Sequence, residues 1–75
     1  TLFRSILIEV PESRTGIVVE IKYAEDAAFD SSCDKAIQQI EEKHYEAALL
    51  GDGMENIVKY GIACYRKRCK VLLAE

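Results

Sequence analysis

A chain of 75 residues makes one domain at most. At that size only about 60–65% of the unfolded surface is buried on folding, so the stability margin is expected to be thin. An apolar share of 49% beside a charged share of 31% excludes a disordered chain, and no apolar run approaches the roughly 18–20 residues of a membrane helix. Ten basic against thirteen acidic residues, a net charge of −3, exclude a uniformly basic nucleic-acid binder and leave room only for a local basic patch.

In chain order, Leu2 to Val10 is rich in β-branched residues and is closed by Pro11, which cannot donate to a ladder; it reads as a strand. Residues 11–16 form a polar connection in which Gly16 is the expected special-dihedral residue. Ile17 to Tyr23 reads as a second strand, antiparallel to the first. After a loop over residues 24–30, Ser31 and Asp34 resemble a capping box. One long helix is expected to follow, with Cys33, Ala36, Ile37, Ile40, His44, Ala47 and Ala48 on its apolar stripe. Gly51-Asp52-Gly53 stops it and, with no Lys-Ser/Thr behind it, is no phosphate loop. Two more strands, Asn56 to Tyr65 and Cys69 to Leu73, flank the basic turn Arg66-Lys67-Arg68. The order β-β-α-β-β predicts a two-layer α/β (α+β) domain with one sheet face uncovered. That bare face is expected to meet a missing segment, a partner chain or solvent. A chain that begins at Thr1 is expected to be a processed product or a piece of something larger.

Alternation along the second strand puts Ile17, Val19, Ile21 and Tyr23 on one face and Val18, Glu20 and Lys22 on the other. A carboxylate and an ammonium two residues apart on one face are roughly 6–7 Å apart, near enough to address one phosphate group. Glu20 can hold a divalent cation through oxygen, and Lys22 can stabilise charge growing on phosphorus. Taken alone, Glu-x-Lys is a weak signal, and a solvated pair on an exposed face is the commoner use of such a pattern.

The company of that pair adds to it. Val18-Val19-Glu20-Ile21-Lys22 precedes a helix reading Ala36-Ile37-Gln38-Gln39-Ile40-Glu41-Glu42-Lys43-His44-Tyr45, then Gly61-Ile62-Ala63, then Lys67-Arg68-Cys69-Lys70-Val71. The succession, over about residues 4 to 73, resembles the PD-(D/E)XK nuclease superfamily, in particular the branch found at the C-terminus of bacterial proteins with an AAA-ATPase-like domain. The resemblance implies a restriction-endonuclease-like fold with a mixed sheet on one helix, and Mg²⁺- or Mn²⁺-dependent hydrolysis of phosphodiester bonds in DNA. By position it implies that Glu20 is the acidic metal ligand, that the carbonyl of Ile21 joins the metal shell, and that Lys22 is the catalytic lysine. Gln39 and Tyr45 match the helical Gln and Tyr that flank the active centre. For these two, a solvated Gln and a half-buried Tyr are equally consistent with the sequence.

Departures from the family pattern matter as much. The superfamily needs an Asp on the first strand, and Arg4-Ser5-Ile6-Leu7-Ile8 has none; Ser5 stands in its place. A neutral hydroxyl is a poor magnesium ligand, so metal is expected to bind weakly and activity to be weak or lost. Glu9, the nearest acid on the strand, is expected to lie too near the turn to substitute. The helix that usually precedes the first strand is absent, so the domain is expected to be truncated. The alternative from another class is a non-catalytic docking domain that pairs through its uncovered sheet face with a second copy or with an ATPase-like domain.

Arg66, Lys67, Arg68 and Lys70 concentrate positive charge and serve either as phosphate contacts or as a solvated hairpin tip. His44, on the apolar stripe, is expected to be packed and not to act as a base. Cys33, Cys64 and Cys69 lack CxxC spacing and a fourth ligand beyond His44, which argues against zinc and for reduced thiols in a cytoplasmic protein without a membrane anchor.

Overall fold

A computed structural model describes residues 3–74. Four strands, β1 (Phe3–Val10), β2 (Thr15–Tyr23), β3 (Asn56–Tyr65) and β4 (Arg68–Ala74), form one sheet in the order β1-β2-β3-β4. The pairing β1–β2 is antiparallel, β2–β3 parallel and β3–β4 antiparallel. The sheet is therefore mixed, and its centre is the parallel seam between β2 and β3. Parallel neighbours need a crossover, and α1 (Phe29–Lys43) and α2 (Tyr45–Gly51) supply it, both on one face of the sheet. The expected β-β-α-β-β order and two-layer α+β architecture are observed. Leu2, expected to begin the first strand, lies outside the described residues.

The single long helix is corrected to two. His44 takes a left-handed φ of 57°, capping α1 and opening α2, so the chain turns there and the phase of the apolar stripe is reset. Cys33, Ala36 and Ile40 are buried as expected, whereas His44, Ala47 and Ala48 are exposed and Leu49 takes the core position instead. A packed histidine is thereby overturned. The capping box also fails, because α1 begins two residues before Ser31 and neither Ser31 nor Asp34 caps it. Asp26 does the local work, its carboxylate accepting the Ala28 N–H at 2.9 Å.

Gly16 is not the turn residue. Arg14 adopts the left-handed conformation, φ 51°, after a 3-10 turn over Pro11–Ser13. Its carbonyl accepts the N–H groups of Glu55 and Asn56 at 2.7 and 3.0 Å, and its guanidinium meets the Glu55 carboxylate at 2.5 Å. Gly16 lies within β2, buried beneath Leu49. Val18, Ile40, Leu49 and Met54 form the core between sheet and helices. Gly61 on β3 lets α1 come close: a Cβ there would stand 2.8 Å from the Cys33 carbonyl oxygen.

These two glycines carry different penalties. A methyl group at residue 16 meets the mobile ends of the Leu49 side chain, whereas one at residue 61 meets helix backbone. Gly61→Ala should therefore destabilise by about 2–3 kcal/mol and Gly16→Ala by about half that or less, compared by urea denaturation. Equal costs would mean that α1 rides up from the sheet as easily as Leu49 turns aside.

Candidate active site

Register decides what meets what on the helix-covered face. Ser5 on β1, Glu20 on β2, Gly61 on β3 and Leu72 on β4 form one row across the sheet. Phe3, Lys22, Ala63 and Lys70 form the next. Glu20 thus sits at mid-strand beneath the helices, and its side chain is fully buried. The solvated-pair reading fails for the carboxylate.

Ser5 Oγ donates to Glu20 Oε1 at 2.5 Å and lies 2.8 Å from Tyr45 Oη. Because the single Ser5 proton points at the carboxylate, the tyrosine hydroxyl is the donor in the second contact. A relay therefore runs from Tyr45 through Ser5 to Glu20. It depends on the break at His44, since Tyr45 is the first residue of α2. Glu20 Oε2 has no hydrogen-bond partner among the described residues. Burial pushes the Glu20 carboxyl above its ordinary range; the Ser5 hydrogen bond and the Lys43 charge pull it part of the way back.

Lys22, one row along, is half-buried, its ammonium 5.0 Å from the centroid of the Phe3 ring. It opens onto a recess of about 330 Å³ lined also by Phe3, Lys35, Gln38, Gln39 and Glu42. Lys22 and Gln39 are therefore brought together, and Tyr45 is brought to Glu20 through Ser5. A second recess of about 360 Å³, also lined by Lys22 and Lys35, contains Glu25 and Asp26. Glu9 is not recruited: it pairs with Gly16, four residues from Glu20 along β2, and a hydrogen bond with Asp52 pushes its carboxyl up. Among the described residues no three His, Cys, Asp or Glu side chains gather as a metal cluster.

The basic residues divide. Lys70 is paired with Asp30 at the start of α1, an interaction that raises its pKa, and Arg68 stacks on Phe29 at 5.3 Å. Arg66, at a left-handed φ of 56°, stacks on its neighbour Tyr65 at 5.2 Å. Lys70 shares the row and face of Lys22, two strands away. Sequence reasoning did not find the Tyr45–Ser5 contact, which a straight helix through His44 would not allow, or Lys35. The latter was legible as the residue one helical turn before Gln39.

A buried carboxyl with a raised pKa binds its proton more tightly in the folded chain than in the unfolded one. The folded chain then holds more protons as pH rises past the ordinary value of 4.5, so stability is greatest below that value and falls as pH climbs through the raised folded pKa. Glu20→Gln keeps the shape and removes the charge. It should gain about 1–3 kcal/mol relative to the parent at pH 7.5 and little at pH 4, read from urea midpoints at both pH values. A parallel response of both proteins to pH would locate the titration elsewhere.

Comparison with known proteins adds one finding. The family model of the PD-(D/E)XK nuclease superfamily matches residues 4–73. No curated protein and no solved structure matches the chain. The match spans both rows of the site except Phe3 and nearly every described residue, and the acidic-x-Lys pair stands on β2, one of the two inner strands of a mixed sheet. The chain belongs to the PD-(D/E)XK nuclease superfamily.

Proposed function

We propose that this is a nuclease domain for metal-dependent hydrolysis of phosphodiester bonds in DNA, with a site weakened by the exchange of one carboxylate for Ser5. The observation that carries the reading is the fully buried Glu20 carboxyl, one oxygen unpartnered, two residues from Lys22 on the same face of the central strand. A carboxyl is buried at such cost only where something rewards it. The donor set is minimal but of the right kind. Mg²⁺ takes oxygen ligands and is commonly held by one or two carboxylates, with substrate phosphate completing the shell. Glu20 and the carbonyl of Ile21 would hold the ion, which would polarise a phosphoryl oxygen and acidify a bound water.

The chain's own residues supply the rest. Lys22, in a recess beside a half-buried strand, places a positive charge where phosphoryl oxygens gain negative charge. Gln39, lining the same recess, offers an amide to orient water or a phosphate oxygen. Tyr45 fixes the Ser5 hydroxyl against Glu20 and so sets which oxygen stays open. Arg66, Lys67, Arg68 and Lys70 approach the strand backbone of the DNA; Lys70 shares the Lys22 face and must exchange Asp30 for a phosphate to do so.

Ser5→Asp tests this directly. It places a second carboxylate opposite Glu20 and should tighten Mn²⁺ binding at least about tenfold, about 1.4 kcal/mol, measured by calorimetry. Without metal the paired carboxylates should lower the melting temperature, and Mn²⁺ should restore it. DNA cleavage should rise in Ser5→Asp, vanish in Ser5→Asp/Lys22→Ala with metal binding kept, and lose metal binding in Ser5→Asp/Glu20→Ala. A folded Ser5→Asp protein indifferent to Mg²⁺ and Mn²⁺ sinks the reading.

The open sheet face favours a second role. Arg4, Ile6, Ile8 and Val10 of β1, alternate residues from Thr15 to Tyr23 of β2, alternate residues from Val58 to Cys64 of β3, and Cys69, Val71 and Leu73 of β4 point away from the helices. Ile6, Ile8, Tyr23, Val71 and Leu73 are between 43% and 56% exposed, and among the described residues Arg4 is the only charge on the face. Four strands at ~4.8 Å spacing and about eight residues at ~3.3 Å make a face of roughly 500 Å². Two copies packed as a sandwich bury roughly 1,000 Å², which meets the lower bound of a specific interface. A second copy is the occupant we assign, because a face almost without charge is self-complementary. Sedimentation should give twice 8.5 kDa, reverting to the single mass in Val71→Lys, on an edge strand, and not in Leu50→Lys, on the helix side. A monomer at high micromolar concentration, or one that associates only with an ATPase-like domain, overturns the assignment.

A further inference from the structure

Two thiols that neither the metal site nor the core uses stand directly opposite each other. Cys64 on β3 and Cys69 on β4 are register partners, with sulfur atoms 2.7 Å apart. Cys64 is half-buried and Cys69 exposed, both on the open face one pair from the hairpin turn, so the site is accessible in the single chain and closed where a second copy covers that face. The backbone explains the closeness. Tyr65 and Arg68 flank the two-residue turn Arg66-Lys67 and so form the hydrogen-bonded pair that closes the hairpin. The next pair, Cys64 and Cys69, is then of the non-hydrogen-bonded kind, whose Cα atoms stand about 4.5 Å apart and whose side chains lie closest. In agreement, the Cys64 carbonyl is turned to the other side, where it accepts the Ala24 N–H at 2.8 Å. A separation of about 4.5 Å lies inside the range a disulfide spans.

We infer that Cys64 and Cys69 form a reversible dithiol–disulfide site, oxidised by low-molecular-weight disulfides and reduced by small thiols. The exposed Cys69 thiolate attacks one sulfur of the oxidant, forming a mixed disulfide and expelling one thiolate. Cys64 then loses its proton to water and attacks Cys69 Sγ, closing the cross-strand bond and expelling the second thiolate. Two protein thiols give up two protons and two electrons; one oxidant disulfide becomes two thiols. Cys64 is ordinarily kept protonated, its thiol pushed up to about 11 chiefly by the hydrogen bond with Cys69, which leaves the exposed partner to react first. Cys33 takes no part: it is buried on the helix face, where it donates to the Lys70 carbonyl at 3.4 Å.

The link would close the hairpin just behind the basic turn, and its site is independent of Glu20 and of any metal. Trypsin offers a clean readout, since Arg66, Lys67 and Arg68 lie between the two cysteines. The full chain, incubated with oxidised glutathione, alkylated and digested, should yield one linked species carrying Cys64 and Cys69. Dithiothreitol before alkylation should abolish it, and Cys33 should be alkylated only after unfolding. Cys64→Ser should halt at the mixed disulfide, with one glutathione retained on Cys69. A wild-type chain that retains glutathione on Cys69 without closing, that bridges through Cys33, or that stays fully alkylatable overturns the inference.

Discussion

A carboxyl group with no contact with water stands at the middle of the central strand, and much of the molecule is arranged around it. Burying a carboxyl demands either a proton or a partner. Glu20 has part of the second: one oxygen is held by Ser5, and the other has no partner among the described residues. The sheet contributes the row that brings Ser5 opposite, β3 contributes a glycine so that α1 can press down, and the left-handed His44 contributes Tyr45 to hold the serine. Ordinary core residues in this row would pack the same layers with less conflict. The conflict is kept on the strand that carries the acidic-x-Lys pair.

A hydroxyl, not a second carboxylate, faces Glu20, and that sets the character of the conflict. Two acids facing each other at this depth repel until a cation joins them; one acid facing a hydroxyl is quiet without any cation. The short Ser5–Glu20 contact is therefore a local compensation.

Strand order and identity were legible because the signals were local: β-branched runs, a proline stop, and a basic turn between two apolar stretches. The face carrying Glu20 and Lys22 was legible too, since alternation needs no tertiary knowledge. That this is the buried face was not, because a Glu and a Lys on a strand ordinarily argue for solvent. The long helix failed at His44 for a physical reason: only a left-handed residue could break the phase, and histidine gives no glycine-like warning. The turn residue was misplaced for the converse reason. Gly16 looked like backbone freedom and was instead room for Leu49, while Arg14 bears the left-handed angle because the loop before β3 grips its carbonyl. Tyr45 and Gln39 could be nominated from the family pattern, but their routes to the site depend on that helix break and on a recess shared with Lys22.

The parallel seam has a consequence for how the molecule comes together. On either side of it the chain forms an antiparallel hairpin whose strands are neighbours in sequence, while the seam itself joins residues about forty apart. Local contacts form early and distant ones late. The seam is thus a natural line of complementation: a piece ending near Tyr23 and a piece beginning near Phe29 would each carry a whole hairpin. The two would share no strand ladder but this one. Glu20 lies on that line, so the two pieces can reunite only by drawing its carboxyl out of water.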